Sequence, residues 1–183
     1  MKVTEEHYIH ITHHSNPGIM NALLMEDIDN VVWGWTNKTN IMGEMSDWNL
    51  MNDNIIMILE WVVEEITQNY DGFEKFTFHG VENWFARYGE GDYGKRHRHM
   101  TAPFSYVYFI NTPPGSSPLV FPTSNTSIEA EAGKLVIFPG DMIHEVPPNQ
   151  CENRCVLVGN LITTAEDMTV MHNSHLPIDV EAL

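Results

Sequence analysis

Two histidines separated by one residue, His97 and His99, are the side chains of this chain best suited to binding a metal ion. Residues i and i+2 of an extended strand face the same side, roughly 6.6 Å apart along it, so both imidazoles can converge on one ion. A third ligand must come from elsewhere in the chain, and His144, which follows a Pro-Gly-Asp turn, is the natural candidate. These types and spacings predict a metal site, for which imidazole suits iron, copper, nickel and zinc.

An arginine in the same part of the chain predicts an acidic molecule beside the metal. Arg154 lies ten residues after His144 and begins the apolar run Cys155–Asn160. At the mouth of a strand an unpaired guanidinium costs more free energy than on an open surface. Its planar fork matches a carboxylate in two parallel hydrogen bonds. We therefore expect a metal together with an acidic cosubstrate.

The elements that must position these side chains are mostly strands. Apolar residues at helical spacing predict one scaffold helix over Asn54–Asn69, and Pro17–Ile28 suits a shorter helix. After Asp71-Gly72 the pattern changes to short strands separated by turn residues, which favours a sandwich or barrel. The expected extended segments are Glu5–Ile11, Val31–Trp35, Lys75–Phe78, Asn83–Tyr88, Phe104–Asn111, Pro118–Phe121, Ser127–Ala130, Lys134–Phe138, Ile143–Val146 and Cys155–Thr163.

Length and charge exclude several classes of protein. With 183 residues, 43% of them apolar, the chain can bury one core but not two full-sized ones. A formal net charge of −16 repels nucleic acids and anionic membranes. No leader-like segment opens the sequence, and the longest apolar run, Ile55–Leu59, is too short to span a bilayer. We expect a soluble cytoplasmic protein whose two cysteines, Cys151 and Cys155, are reduced thiols.

From Trp84 to Ile162 the chain resembles the Fe(II)- and 2-oxoglutarate-dependent oxygenases, especially small members from marine bacteria and their phages. In that superfamily a double-stranded β-helix, or jelly roll, carries a His-x-Asp/Glu pair, a distal His, and an Arg or Lys about ten residues later. The order and spacing of His97, His144 and Arg154 match this pattern. The resemblance also covers the strands on either side, Ser105–Asn111 and Gly133–Pro139.

The resemblance implies a function and a set of cofactors. Fe(II) would be held by His97, His99 and His144, and Arg154 would bind the distal carboxylate of 2-oxoglutarate. Tyr88 would supply the hydroxyl that relatives place at the position of Phe109, and Ser105 is a further candidate cosubstrate contact. With O2, the enzyme would hydroxylate a small-molecule or peptide substrate and convert 2-oxoglutarate to succinate.

His99 departs from the superfamily pattern, because most members have a carboxylate at that position. A neutral ligand in place of an anionic one leaves the iron site one unit more positive. The small members from marine bacteria and their phages, which this chain resembles, often carry His-x-His at this position. Asp92 and Asp141 remain alternatives, either as the carboxylate ligand or as groups that fix an imidazole tautomer.

The expected architecture is mainly β, a jelly roll with flanking N-terminal helices in one domain. Residues 1–72 would form a mixed helical support, 73–163 the jelly-roll core, and 164–183 a closing tail. A homodimer is a candidate assembly, since tryptophans and methionines in the first third could meet in an interface. A phage-encoded protein would work in the host cytoplasm.

Two other functions fit parts of the pattern. A cupin, with the same jelly roll but no oxoacid, fits Gly91-x5-His97-x-His99 and nearly fits Gly133-x5-Pro139-x4-His144. That class covers dioxygenases without a cosubstrate, isomerases and small-molecule-binding proteins. This chain lacks the glutamate that a cupin is expected to have a few residues after His99, and Thr101–Phe104 stands there instead. The cupin assignment also gives Arg154 no role. A catalytically silent jelly-roll module would fit the acidic surface and predicts no metal affinity.

Overall fold

Two sheets and two helices make up the part of the chain that the computed structural model describes, residues 6–73 and 75–165. The elements in chain order are β1 His10–His13, α1 Pro17–Asn30, β2 Trp35–Thr36, β3 Ile41–Met42, β4 Glu44–Met45, α2 Asp53–Asn69, β5 Phe76–Tyr88, β6 Tyr93–His97, β7 Phe104–Asn111, β8 Leu119–Phe121, β9 Thr126–Ile128, β10 Lys134–Pro139, β11 His144–Val146 and β12 Arg154–Ala165.

The strands form a seven-stranded sheet in the order β1-β10-β7-β12-β5-β4-β2 and a five-stranded sheet in the order β3-β6-β11-β8-β9. Neighbouring strands pair antiparallel throughout both sheets. This architecture confirms the predicted mainly β jelly roll with flanking N-terminal helices. It sets β6 and β11 of the smaller sheet across from β5 and β12 of the larger one.

Alternating side chains give the larger sheet a core on each face. On β7, Tyr106 and Tyr108 pack with the helices, while Val107 and Phe109 pack between the two sheets. Successive residues of a strand point to opposite faces, so a strand buried on both sides is apolar almost throughout. Burial of each such large side chain contributes roughly 1.5–3 kcal/mol. The double burial makes this sheet a rigid support for whatever its inner face carries.

Both predicted helices are present and cover the outer face of the larger sheet. In α2, the side chain of Asn52 caps the N-terminus by accepting a 2.9 Å hydrogen bond from the backbone N–H of Ile55. The buried stripe recurs at helical spacing, and its members are Ile55, Ile58, Val62 and Ile66. The helix begins one residue before the predicted start and ends at the predicted residue, Asn69.

Four of the predicted strands in the first half were wrong, and one of them, Glu5–Ile11, coincides with β1 only at His10 and Ile11. The expected pair Lys75–Phe78 and Asn83–Tyr88 is one 13-residue strand, β5, that runs through Gly80. It stays paired with β12 because a bulge at Asn160/Leu161 absorbs the change of register. Val31–Trp35 contributes only its last residue to a strand, β2, and the two-residue strands β3 and β4 were not predicted.

Three further predictions concern the domain boundaries, the two cysteines and membrane-spanning segments. The predicted closing tail, 164–183, lies outside the described residues apart from its first two positions, and the domain boundaries stay predictions. Both cysteines are free. Within residues 6–73 and 75–165, no helix has the length and apolar character needed to cross a bilayer.

Candidate metal centre and cosubstrate pocket

Three histidines meet between the sheets. Each of His97, His99 and His144 offers one ring nitrogen, and these three atoms lie within 4.8 Å of one another. The ring centroids are 4.3 Å apart for His97 and His144, 4.9 Å for His97 and His99, and 5.2 Å for His99 and His144. Three imidazole nitrogens this close can hold one transition-metal ion.

Strand pairing explains the positions of two of the three histidines, His97 and His144. His97 is the last residue of β6 and lies directly opposite His144, the first residue of β11, in antiparallel register. His99, by contrast, lies beyond the end of β6, where its backbone N–H donates a 2.6 Å hydrogen bond to the carbonyl of Gly140. The expectation that strand alternation alone aligns His97 with His99 is therefore wrong. The hydrogen bond to Gly140, in the loop after β10, fixes a turn in the chain. This turn brings His99 to the other two histidines.

Backbone carbonyls prepare two of the rings as ligands. Nδ1 of His97 lies 2.6 Å from the carbonyl oxygen of Lys95, and Nδ1 of His144 lies 2.9 Å from that of Met142. Because a carbonyl only accepts, each Nδ1 carries the proton, and each Nε2 keeps its lone pair. In that tautomer both rings are ready to bind a metal through Nε2.

A different neighbour faces the third ring. Nδ1 of His99 lies 3.3 Å from Nδ2 of Asn160. The oxygen and nitrogen of the Asn160 side-chain amide cannot exchange positions. Its Oδ1 accepts a 2.7 Å hydrogen bond from the Ser105 hydroxyl, and its Nδ2 donates a 2.6 Å hydrogen bond to the Glu82 carboxylate. Asn160 therefore offers His99 a donor, which favours the proton on Nε2. His99 must change tautomer or turn its ring before Nε2 can bind a metal, so it is the least prepared ligand.

Burial keeps the three imidazoles neutral. His144 is 5% exposed and packs against the ring of Phe138, and burial lowers its pKa to about 3, with the nearby His97 adding to the effect. Burial followed by the proximity of His97 lowers the pKa of His99 to about 4. Burial also lowers the pKa of His97, although its hydrogen bond to Lys95 opposes the shift. Neutral imidazole is the form that binds metals.

These shifts predict that acid destabilises the metal-free protein. The His144 pKa is about 3 in the fold against 6.5 for a free imidazole, so below pH 6.5 the unfolded chain takes up a proton that the folded one refuses. His144 alone should lower the free energy of unfolding by about 1.4 kcal/mol for each pH unit below that value. Urea unfolding from about pH 7 to about pH 5 measures the slope. In a His144→Leu variant the slope should be shallower; an unchanged slope would contradict this assignment.

Arg154 is a buried cation without a full set of acceptors. It is 1% exposed, its Nε donates a 3.0 Å hydrogen bond to the carbonyl of Ser117, and its Nη1 is buried with no partner among the described residues. The guanidinium carbon lies 4.8 Å from the ring centre of Tyr88, which is its register partner across β5 and β12. A buried donor left unpaired costs roughly 1–3 kcal/mol. The arrangement suits the binding of an anion.

Tyr88 and Ser105 have different surroundings. Tyr88 is buried beside Arg154, and burial raises the pKa of its phenol while the guanidinium opposes the shift. It therefore stays a neutral hydroxyl. Ser105 is fully buried, does not line the cavity that holds Arg154, and donates its hydroxyl to Asn160. Through the Asn160 amide this hydroxyl is connected to His99, and its role as a cosubstrate contact stays a prediction.

The two alternative carboxylate ligands lie apart from the histidines. Asp92 accepts a 2.8 Å hydrogen bond from the backbone N–H of Gly89 in the turn before β6. Asp141 lines another cavity, of about 630 Å³, together with Arg98. Neither carboxylate belongs to the cluster of potential ligand atoms that the described residues form. That large cavity is lined by none of the three histidines, so size does not mark the site here.

A narrow inner cavity joins the histidines to the arginine. It holds about 40 Å³ and runs between the two sheets. Its walls are polar at two places and otherwise apolar, formed by Ile41, Trp84, Tyr88, Gly94, His97, His99, Val107, Leu119, His144, Val146, Arg154, Val156 and Val158. A metal bound to the imidazoles and an acid bound to Arg154 would thus share one water-poor space.

Three residues that support the site were missed in the sequence. Asn149 is 2% exposed and joins the Ser117 backbone N–H to the carbonyl of Cys151 near Arg154. Asn160 orients His99, and Trp84 lines the inner cavity. Asparagine and tryptophan carry no spacing signal of their own. Only the apolar run around Asn160, in which a lone amide is out of place, pointed to such a role.

No protein-family model matches the chain, and a comparison with curated protein sequences gives no match. Solved structures do match. The viral collagen prolyl hydroxylase of Paramecium Bursaria Chlorella virus-1, in complex with 2OG, is 16% identical with a TM-score of 0.67, over 84% of this chain and 95% of that one. A Pseudomonas putida prolyl-4-hydroxylase is 21% identical with a TM-score of 0.62, over 84% and 92%.

A third match is a Trichoplax adhaerens prolyl hydroxylase in complex with a peptide fragment of the hypoxia inducible factor oxygen degradation domain. It is 14% identical with a TM-score of 0.59, and the match covers 92% of this chain and 87% of that one. At such identities the likeness speaks to the fold, since one fold hosts many functions. The chain has the jelly-roll fold found in 2-oxoglutarate and Fe(II)-dependent oxygenases.

Proposed function

We propose that the protein is an Fe(II)- and 2-oxoglutarate-dependent oxygenase that hydroxylates its substrate and converts 2-oxoglutarate to succinate. The observation that carries the proposal is the buried Arg154, whose Nη1 has no partner among residues 6–73 and 75–165, in the same cavity as three neutral histidines. The likeness to prolyl hydroxylases supports it. The metal cluster alone would serve a cupin equally well, but a cupin leaves the guanidinium without an anion.

The donor set fits Fe(II). Imidazole is a suitable ligand for iron, and three protein ligands on one side leave positions for other molecules. His97 and His144 present Nε2 already, and His99 completes the set once its Nδ1 is freed from Asn160. When bound, Fe(II) supplies the activation of O2 that hydroxylation needs. The chain's own task is to hold this metal in a space that excludes water.

Arg154 and Tyr88 would fix the cosubstrate. The guanidinium can donate two hydrogen bonds to the distal carboxylate of 2-oxoglutarate, and Nη1 is one donor that is free for it. Tyr88, whose raised pKa keeps the phenol protonated, can donate a third. Held at that end, the keto acid would extend through the inner cavity toward the imidazoles. Since the cavity holds only about 40 Å³, side chains around it would have to adjust to admit the keto acid.

An anaerobic titration of the Fe(II)-loaded protein with 2-oxoglutarate tests the proposal. We expect a visible charge-transfer absorption, because this band arises only when the keto acid chelates the iron. Succinate, which has no keto group, should produce no band and serves as the control ligand. Bound iron without the band would favour a cupin, and a protein that binds no iron would be a silent module.

A further inference from the structure

A second cavity, a cleft of about 150 Å³, reaches the metal-binding histidines by another route. His97, His99, Ile41 and Trp84 line both this cleft and the inner cavity, whereas Arg154 lines only the inner one. A molecule in the cleft could therefore face the metal while the cosubstrate occupies the inner cavity. The cleft therefore leaves room for a substrate beside the three histidines.

One carboxylate in the cleft has no cation to balance it. Glu82 lines the cleft, and no lysine or arginine does. Its carboxylate accepts a 2.6 Å hydrogen bond from Asn160 and makes no ion pair within residues 6–73 and 75–165. The same Asn160 nitrogen lies 3.3 Å from His99, so one amide separates the carboxylate from the metal site. A half-buried carboxylate held in this way favours a positive partner.

A buried donor without a partner is the second sign of a ligand. Trp84 is 6% exposed, and its indole N–H is buried with no acceptor in the described part of the chain. Leaving such a donor unpaired costs free energy that an oxygen of a bound molecule would recover. Glu82 thus offers a ligand in the cleft an acceptor, and Trp84, which lines both the cleft and the inner cavity, offers a donor that no described residue uses.

The outer part of the cleft also suits a cation. Trp48 lines it, is 44% exposed, and stacks on Trp35 with ring centroids 5.9 Å apart and 13° between the planes. Tryptophan faces attract ammonium and guanidinium groups. The net charge of −16 draws cations to the surface from solution.

We propose that the substrate carries a cationic nitrogen, an aliphatic ammonium or guanidinium, which pairs with Glu82 while an oxygen nearby accepts from Trp84. This inference rests on the oxygenase proposed above, because it names the substrate class of that site. The same chemistry occurs in a lysine or arginine side chain of a peptide and in a free amine. In either case the cation anchors the substrate beside His99, with its neighbouring carbon atoms toward the metal.

Calorimetric titration of the metal-free protein and of the anaerobic complex with Fe(II) and 2-oxoglutarate tests this directly. The probes are Nα-acetyl-lysine amide, Nα-acetyl-arginine amide and cadaverine, with two neutral molecules for comparison, Nα-acetyl-citrulline amide and a prolyl dipeptide that is acetylated at its N-terminus and amidated at its C-terminus. Cationic probes should bind at least about tenfold more tightly than neutral ones, as charge-assisted hydrogen bonds do. Tighter binding of the acetylated amides than of cadaverine identifies a peptide substrate, and the reverse order a free amine.

Two variants make the test specific. Glu82→Gln should weaken the cationic probes by about tenfold or more, while its Oε1 still accepts from Asn160, so the fold is kept. Glu60→Gln, on the exposed face of α2, removes the same charge elsewhere and should change nothing. Equal losses in both variants, or neutral probes that bind as well as cationic ones, would overturn the proposal. A loss of iron in Glu82→Gln would also overturn it, by making Glu82 part of the metal site.

The charge-transfer band, recorded on the same samples, separates the two proposals. If the band forms but cationic probes do not bind, only the substrate assignment is wrong. If cationic probes bind in a Glu82-dependent way but no band forms, the cleft is a cation site and the oxygenase assignment is wrong.

Discussion

Replacing Arg154 with methionine should weaken 2-oxoglutarate binding by about thirtyfold or more, because truncating one partner of a buried charge pair costs at least about 2 kcal/mol. Iron affinity should stay the same, since Arg154 is not among the three candidate metal ligands. Stability should change little or rise, because an apolar chain of similar length replaces a buried cation whose Nη1 has no partner in the part of the chain that the structure describes. Anaerobic titration of the charge-transfer band measures the affinity, and thermal unfolding the stability.

Arg96→Met is the matched control for that variant. Arg96 carries the same charge near the histidines but is exposed, where it pairs with Glu145 at 2.8 Å on the outer face of β6. It should leave 2-oxoglutarate affinity unchanged. Equal affinities for 2-oxoglutarate in Arg154→Met and the parent protein would refute the cosubstrate assignment, whatever the iron content.

Replacing His144 with leucine should reduce Fe(II) affinity by more than about 100-fold, the upper range found for residues that merely support ligands. His144 is the most buried of the three and presents Nε2 through its bond to Met142. Leucine fills the space against Phe138, so the variant should fold. Metal content after anaerobic loading and dialysis measures the effect.

Two comparisons sharpen that result. His13→Leu, a half-exposed histidine on β1, should keep full iron content. His99→Leu should lose less affinity than His144→Leu, because His99 must first give up its contact with Asn160. If His144→Leu retained its iron, the three-histidine assignment would fail and a carboxylate would have to be sought.

Local patterns were sufficient for some elements and not for others. The helix over Asn54–Asn69 was predictable because four buried residues recur every three to four positions with a capping Asn52 before them. The short strands β2, β3 and β4 were not, since two residues show no periodicity. β5 was divided in two because Gly80 normally interrupts a strand, whereas here pairing with β12 outweighs the local preference.

The sequence by itself determined the donor types, their order and the presence of one arginine after the distal histidine. Those features depend on residue identity and spacing, which a chain carries before it folds. Only the tertiary structure decided which groups meet. Antiparallel register across β5, β12 and β7 sets Glu82, Asn160 and Ser105 side by side, and the loop after β10 brings His99 to the others while leaving Asp141 in a different cavity. Register and loop contacts join residues far apart in the chain, so no local pattern encodes them.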